Sequence, residues 1–358
     1  EECTYLLLFG KLPNKQELGE FCELLSNYRS LPQNFVRDVI MKKPSKDMMN
    51  ALARGVLTLY SYDEVPDDTS EANVLRQCLQ LISMFPLLSV YSYQTYRHYY
   101  NGESLIIHPP KKEYSTAENI LHCLRDDSKF TPLEAKLLDV ALILHMEHGG
   151  GNNSTFTVRV TSSTGTDTYS AIAAGIGSLK GPLHGGANIQ VADMFHHLQE
   201  NIKDWKSVDE IDTYFTRMLN KEVYNKTGLI YGIGHAVYTI SDPRALLLKE
   251  LARDLAREKG KEEEFAFLEL LEERAIATFG RVKNNGKTVS SNIDFYSGFV
   301  YEMIGLPQEI FTPLFAMARI VGWCAHRNEE LNFEGKRIIR PAYKNVLDDL
   351  AYIPIKKR

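Results

Sequence analysis

Histidine, aspartate and arginine side chains able to move protons and hold a small anion recur in five short segments. The first is Leu144-His145-Met146-Glu147-His148-Gly149. Its two histidines are three residues apart at a helix end, so they face the same way, and a helix C-terminus favours a positive imidazolium. A metal pair is one reading, but no Cys or carboxylate partner stands at a fitting spacing. A buried, hydrogen-bonded histidine suits His145, and an anion-facing one suits His148. Asn152, Asn153, Ser154 and Thr155 follow, either as ligand donors or as caps. The second segment is Gly181-Pro182-Leu183-His184-Gly185-Gly186-Ala187-Asn188. Glycines around a histidine cost chain entropy without burying anything, which favours a ring presented to a ligand over a plain loop residue. Asn188 is expected to cap the helix that follows.

The third segment runs from Gly232-Ile233-Gly234-His235 through Ala236-Val237-Tyr238 and Thr239 to Asp242-Pro243-Arg244. It lacks the third glycine and the preceding strand of a dinucleotide fingerprint. His235 and Arg244 share one loop-helix unit, and a histidine donor beside a guanidinium fork suits a carboxylate or keto acid. The fourth is Ser290-Ser291-Asn292-Ile293-Asp294-Phe295-Tyr296-Ser297-Gly298. Asp294 is either a helix N-cap or, in an apolar site, a base whose pKa desolvation raises. The fifth is a pair, Arg319 within Phe315-Ala316-Met317-Ala318-Arg319 and Arg340 within Ile338-Ile339-Arg340-Pro341. Both have apolar sequence neighbours, so each needs an anion, whether an internal carboxylate or a bound one.

The elements that must position these groups read as helix after helix. Thr131-Pro132-Leu133-Glu134 is a capping box, and Ser115-x-x-Glu118 and Ser207-x-x-Glu210 repeat the signal. Asp242-Pro243 opens a helix that stops near Gly260, and Thr312-Pro313 opens another. Phe156 to Thr161 is the best short strand. At 358 residues a two-domain body is expected. A net charge of −5 argues against a nucleic-acid partner. The most apolar stretch, Leu133 to His148, carries charges, so no membrane span is expected. Five cysteines without a CxxC pair fit reduced thiols and a cytoplasmic setting. The chain opens on Glu1-Glu2-Cys3 without Met or a basic leader, which suggests an upstream segment and no signal peptide.

Taken in chain order, HxxH…NNSTFT, GPLHGGAN, GIGHAVY…DPRA, NIDFYSG, FAMARIVGW and IIRP resemble the citrate synthase family, and the likeness runs from Tyr5 to Arg340. The resemblance implies an all-α homodimer. Residues 1–188 and 306–358 would form a large helical domain, and 189–305 a smaller one closing over the substrate. Oxaloacetate would bind first in the cleft, and closure would create the acyl-CoA site and exclude water. By matching motifs, Asp294 would take the methyl proton of acetyl-CoA. His184 would stabilise the enol or enolate, and His235 would polarise the oxaloacetate carbonyl and act as acid. His148, Arg244, Arg319 and Arg340 would hold the carboxylates, with Arg340 reaching in from the partner subunit. Hydrolysis of citryl-CoA would then yield citrate, as in the tricarboxylic acid cycle. Acetyl-CoA is a co-substrate, and neither a permanent cofactor nor a metal is implied. The alternative in the same family is 2-methylcitrate synthase, which takes propionyl-CoA. A non-catalytic homologue would lack Asp294, His184 or His235, and all three are present.

Overall fold

The computed structural model describes every residue except Ala236, Val237, Thr239, 284–287, Asn345 and 347–350, so part of the third motif lies outside the described residues. The described chain is all-α. Its helices are α1 (Glu2–Phe9), α2 (Lys15–Tyr28), α3 (Met48–Leu59), α4 (Glu71–Asn101), α5 (Thr116–Leu124), α6 (Pro132–His145) and α7 (Asn153–Ser162). They continue as α8 (Thr168–Leu179), α9 (Ala187–Asn201), α10 (Val208–Leu219), α11 (Pro243–Lys259), α12 (Glu262–Lys283), α13 (Asp294–Met303) and α14 (Phe311–Asn332).

Capping explains several of these starts. Thr131 with Glu134 and Ser115 with Glu118 close reciprocal boxes at α6 and α5. Asp242 caps α11, which ends on Gly260 in the left-handed conformation. Two expected caps are displaced. Gly186 precedes α9, and Asn188 lies inside that helix and accepts from its neighbour, the Ile189 N–H. Helix α14 begins at Phe311, before Thr312-Pro313, and the Thr312 hydroxyl instead donates to Gly185 O at 3.2 Å.

The expected strand at Phe156 to Thr161 is helical and belongs to α7. Tertiary packing overrides the β-branched composition. Val158 is fully buried, and α8 comes so close that a Cβ on Gly175 would stand 2.6 Å from it. The hydroxyls of Thr157 and Thr161 turn back onto carbonyls of their own helix, both at 2.8 Å.

The core sits around α4 and α14, which pack on each other, with α7 and α6 against α14. Helix α4, and not Leu133–His148, is the stretch long and apolar enough to cross a membrane. Yet 78% of its apolar window is buried inside the fold, as in the central helix of a helical core. Helices α9 to α13 pack among themselves, with α9 on α13 and α10 on α12. Arg274 clamps Asp212 across the α10–α12 contact at 2.9 and 2.6 Å. Helix α11 also packs on α6, with Lys259 bonded to Glu134 at 2.6 Å, so the two groups of helices meet along α6, the helix that runs into the first motif.

Candidate active site

The third and fourth motifs close on each other. Ile233 and Ser291 form an isolated antiparallel bridge. The Gly234 N–H donates to Ser290 O at 2.7 Å, and the Asn292 N–H donates to Gly232 O at 2.9 Å. Gly232 has φ +78°, and a Cβ there would stand 2.9 Å from the Phe295 ring, so only glycine lets the two segments meet. His235 is thereby held beside the start of α13. Asn292 Oδ1 accepts the Asp294 N–H at 3.0 Å, and Ile293 occupies the N-cap position of α13, so the Asp294 carboxylate is not the cap of its helix. Burial pushes that carboxyl up to about 6, against the lowering effect of Arg244, with Asp242 raising it and Arg319 lowering it.

Asp242 ties this group together. Its buried carboxylate accepts from Arg244 Nε and Nη2 at 3.0 and 2.8 Å and from the Ile293 N–H at 3.2 Å. One side chain thus orients a guanidinium fork and anchors the turn before Asp294.

The two histidine motifs meet directly. His148 Nε2 lies 3.1 Å from His235 Nε2, with the rings stacked at 5.1 Å and 9°. The Tyr238 N–H donates to His235 Nδ1 at 3.1 Å, which assigns the His235 proton to Nε2. Burial lowers the pKa of both rings. Next come His148 and Arg244 for His235, and Arg244 and Arg319 for His148. Burial and guanidinium charge therefore outweigh the helix end that favours an imidazolium at this motif. His145 is a core residue. It is 1% exposed, its Nδ1 faces Ala141 O at 2.8 Å, and burial holds its pKa near 3. Among the described residues, no group of three or more His, Cys, Asp or Glu is placed to hold a metal ion.

His184 is held from behind. Its Nε2 accepts the Ser154 N–H at 3.3 Å and lies 3.0 Å from Ser154 Oγ, which accepts from Trp323 Nε1 at 3.2 Å. Because Nε2 accepts, the proton belongs on Nδ1, the nitrogen on the other side of the ring. Burial first, then Arg319 and His148, lowers its pKa to about 4. Gly185 is required in this loop, because a Cβ there would lie 2.3 Å from Leu179 O.

Arg319 is fully buried. Its Nε donates to His145 O at 2.8 Å, and its Nη1 and Nη2 have no hydrogen-bond partner among the described residues. Burial pulls the guanidinium down to about 10. An internal carboxylate partner, one of the two readings of this arginine, is not bonded to it. A buried cationic fork with two unmet donor nitrogens is shaped for an incoming carboxylate. Arg340 differs. It is exposed on the segment after α14, where Ile338 is also exposed and the Ile339 N–H donates to Ser163 Oγ at 3.0 Å. Apolar sequence neighbours therefore do not bury it within one subunit, and this chain does not bring it to the other six groups.

Sequence reasoning passed over the supporting residues. Ser154 stood open between ligand donor and cap, and it serves His184 instead. Asp242 reads as a helix cap, and its further bond to Ile293 has no local signal. Trp323 looks like a core aromatic, and its indole N–H is what orders Ser154.

Neutral histidines inside the fold carry a pH consequence. His184 and His145 have folded-state pKa values of about 4 and about 3 against 6.5 for an exposed ring. The unfolded chain therefore binds more protons between those values, and stability is full above pH 6.5 and lost as pH falls toward 4. Melting temperatures measured from pH 7.5 to 4.5 should decline progressively below about 6.5; a flat profile would contradict the buried neutral rings.

A family profile described as "Citrate synthase, C-terminal domain" matches residues 1–342. The chain belongs to the citrate synthase family. It is 35% identical over 360 residues to a citrate synthase of Deinococcus radiodurans, covering 100% of this chain and 88% of that protein. It is 30% identical to a 2-methylcitrate synthase of Shewanella oneidensis over 359 residues, 100% of this chain and 87% of that one. The fold matches the citrate synthase of Thermoplasma acidophilum, solved as a ternary complex with carboxymethyl coenzyme A and oxaloacetate. The TM-score is 0.82 at 31% identity, over 100% of this chain and 88% of the other. The all-α architecture is that of citrate synthases.

Proposed function

We propose that the cluster around Arg319 is the condensation site, with the residue roles that follow. The activity is that of the family: a transferase that makes citrate from acetyl-CoA and oxaloacetate, with acetyl-CoA as substrate and no permanent cofactor. One observation carries the reading of the site. The half-buried Asp294 carboxyl, near pKa 6, and the neutral His184 ring both feel Arg319, Asp294 and the neutral His235 ring both feel Arg244 and Asp242, and His148 acts on both imidazoles, so shared neighbours join these groups around a buried arginine with unmet donors.

A thioester methyl is a very weak acid, so charge must be stabilised as it forms. Asp294 takes the methyl proton, and its raised pKa makes it a stronger base than an exposed aspartate. His184 Nδ1–H donates to the thioester oxygen as the enol or enolate develops. The nucleophilic carbon then bonds to the keto carbon of oxaloacetate. His235 Nε2–H polarises that carbonyl and gives its proton to the oxygen. Arg319, Arg244 and His148 hold the substrate carboxylates within attack distance. Water then cleaves the citryl-CoA thioester, releasing citrate and CoA.

Two further parts belong to this proposal. The α9–α13 group, residues 189–305, closes over the dicarboxylate, and the chain acts as a homodimer in which Arg340 serves the partner's site. The exposure of Arg340 on a surface segment supports that reading. Five unpaired thiols support a reducing, cytoplasmic setting.

Thiol release with oxaloacetate and a panel of acyl-CoAs tests the chemistry. Acetyl-CoA should give the highest kcat/KM. The relative among 2-methylcitrate synthases keeps propionyl-CoA as the second reading, and one methylene is worth about 1–3 kcal/mol, so the ratio is measurable. Preference for propionyl-CoA would replace the first reading with the second. Arg340→Ala mixed with Asp294→Ala should regain activity, because a mixed dimer then holds one intact site. No recovery in verified mixed dimers would remove Arg340 from the partner's site.

A further inference from the structure

The first motif contains a carboxylate that the chemistry above does not use. Glu147 Oε1 accepts the N–H groups of His148, at 2.8 Å, and of Gly149. It also lies 3.1 Å from His326 Nε2 on α14. His326 Nδ1 lies 2.9 Å from Arg159 Nη1 on α7, and an arginine can only donate, so His326 keeps its proton on Nε2 and gives that bond to Glu147. Arg159 is held in turn by Glu330 at 2.8 Å and Glu329 at 3.4 Å. Two glycines border this chain of contacts, Gly150 closely and Gly322 with no room for a side chain. A Cβ on Gly150 would stand 3.3 Å from the His326 ring, and one on Gly322 would stand 2.3 Å from Glu147 Oε2. The glycine run after His148 is therefore a loop wrapped on His326, and α14 passes under Glu147 without a side chain.

We propose that Arg159, His326 and Glu147 form a positioning relay that sets the backbone of His148, and so the affinity for the dicarboxylate substrate. The inference rests on the site reading above. None of the three touches a reacting atom in this reading, so the effect belongs in substrate binding. Arg319 and Arg159 both lie along the same pair of helices, α14 and α7, but they serve different ends. Arg319 waits for the substrate, whereas Arg159 is already spent on the protein.

The test compares two replacements at His326 by the KM for oxaloacetate, kcat and melting temperature. His326→Leu removes both bonds. It should raise the oxaloacetate KM by about tenfold or more, because small misplacements of a binding group are costly, while kcat stays within about twofold. His326→Gln can still donate to Glu147 and accept from Arg159, and should return KM to within about threefold of the parent. Glu147→Gln provides a second route should the leucine variant fold poorly: it keeps one acceptor, loses the charge and should also raise KM. An unchanged KM in His326→Leu and Glu147→Gln would overturn the relay, as would equal impairment of the leucine and glutamine variants at His326. Absence of citrate formation by the parent protein would be a failure of the site reading instead, and the same assay separates the two.

Discussion

Asp294→Asn is expected to lower kcat by about 10³-fold or more while oxaloacetate still binds with nearly its original affinity. The amide keeps the size of the carboxyl and cannot accept the methyl proton. Asn292 still accepts the N–H of residue 294, so the backbone loses no bond. Removing a half-buried carboxyl whose ionisation burial opposes should not destabilise the fold, and the melting temperature should hold or rise. The parent protein adds a pH signature. With the carboxyl near 6 in the ligand-free protein, the fraction in the basic form drops tenfold per unit below that value, so kcat/KM should show an acidic limb there. Isothermal titration of oxaloacetate and a pH–rate profile check both parts. Turnover within tenfold of the parent would remove Asp294 from the proton-transfer step.

Arg319→Met is the second large effect, and it runs in opposite directions for binding and stability. The guanidinium is fully buried with Nη1 and Nη2 unmet, and burial already pulls its pKa to about 10. A buried charge without a partner costs the fold, and methionine fills much of the same volume with no such cost. The melting temperature should stay level or rise, although the Nε bond to His145 O is lost. Oxaloacetate affinity should fall by about 10²–10³-fold, the scale of losing a buried charge-assisted fork. A structural arginine would behave the other way round. A strongly lowered melting temperature with unchanged oxaloacetate KM would show that Arg319 serves the fold and not the substrate.

The groups proposed as catalytic stand out in the sequence because their neighbours are locally odd. His184 sits between a Pro turn and glycines, and His235 follows GxG. Asp294 stands between Ile293 and Phe295. Helix starts such as Thr131–Glu134 were legible for the same reason, since a cap is a contact within four residues. What stayed hidden is long-range. Ser154 and Trp323 are 169 positions apart in sequence, and only the crossing of α7 and α14 lets the indole order the hydroxyl behind His184. Asp242 reaches Ile293 over 51 positions. The supposed strand at Phe156–Thr161 fails for a related reason. Its composition is read locally, while its conformation is set by how closely α8 approaches through Gly175.

The bridge between Ile233 and Ser291 has a consequence for thrift. It makes His235 and Asp294 fellow passengers: under the proposed roles, the proton acceptor and the group that activates the electrophile would arrive as one unit. In the proposed closure, His184 and Arg319 would meet that unit from the other group of helices. Neither half alone would carry the condensation, so the activated acetyl group would be spared until its recipient is in place.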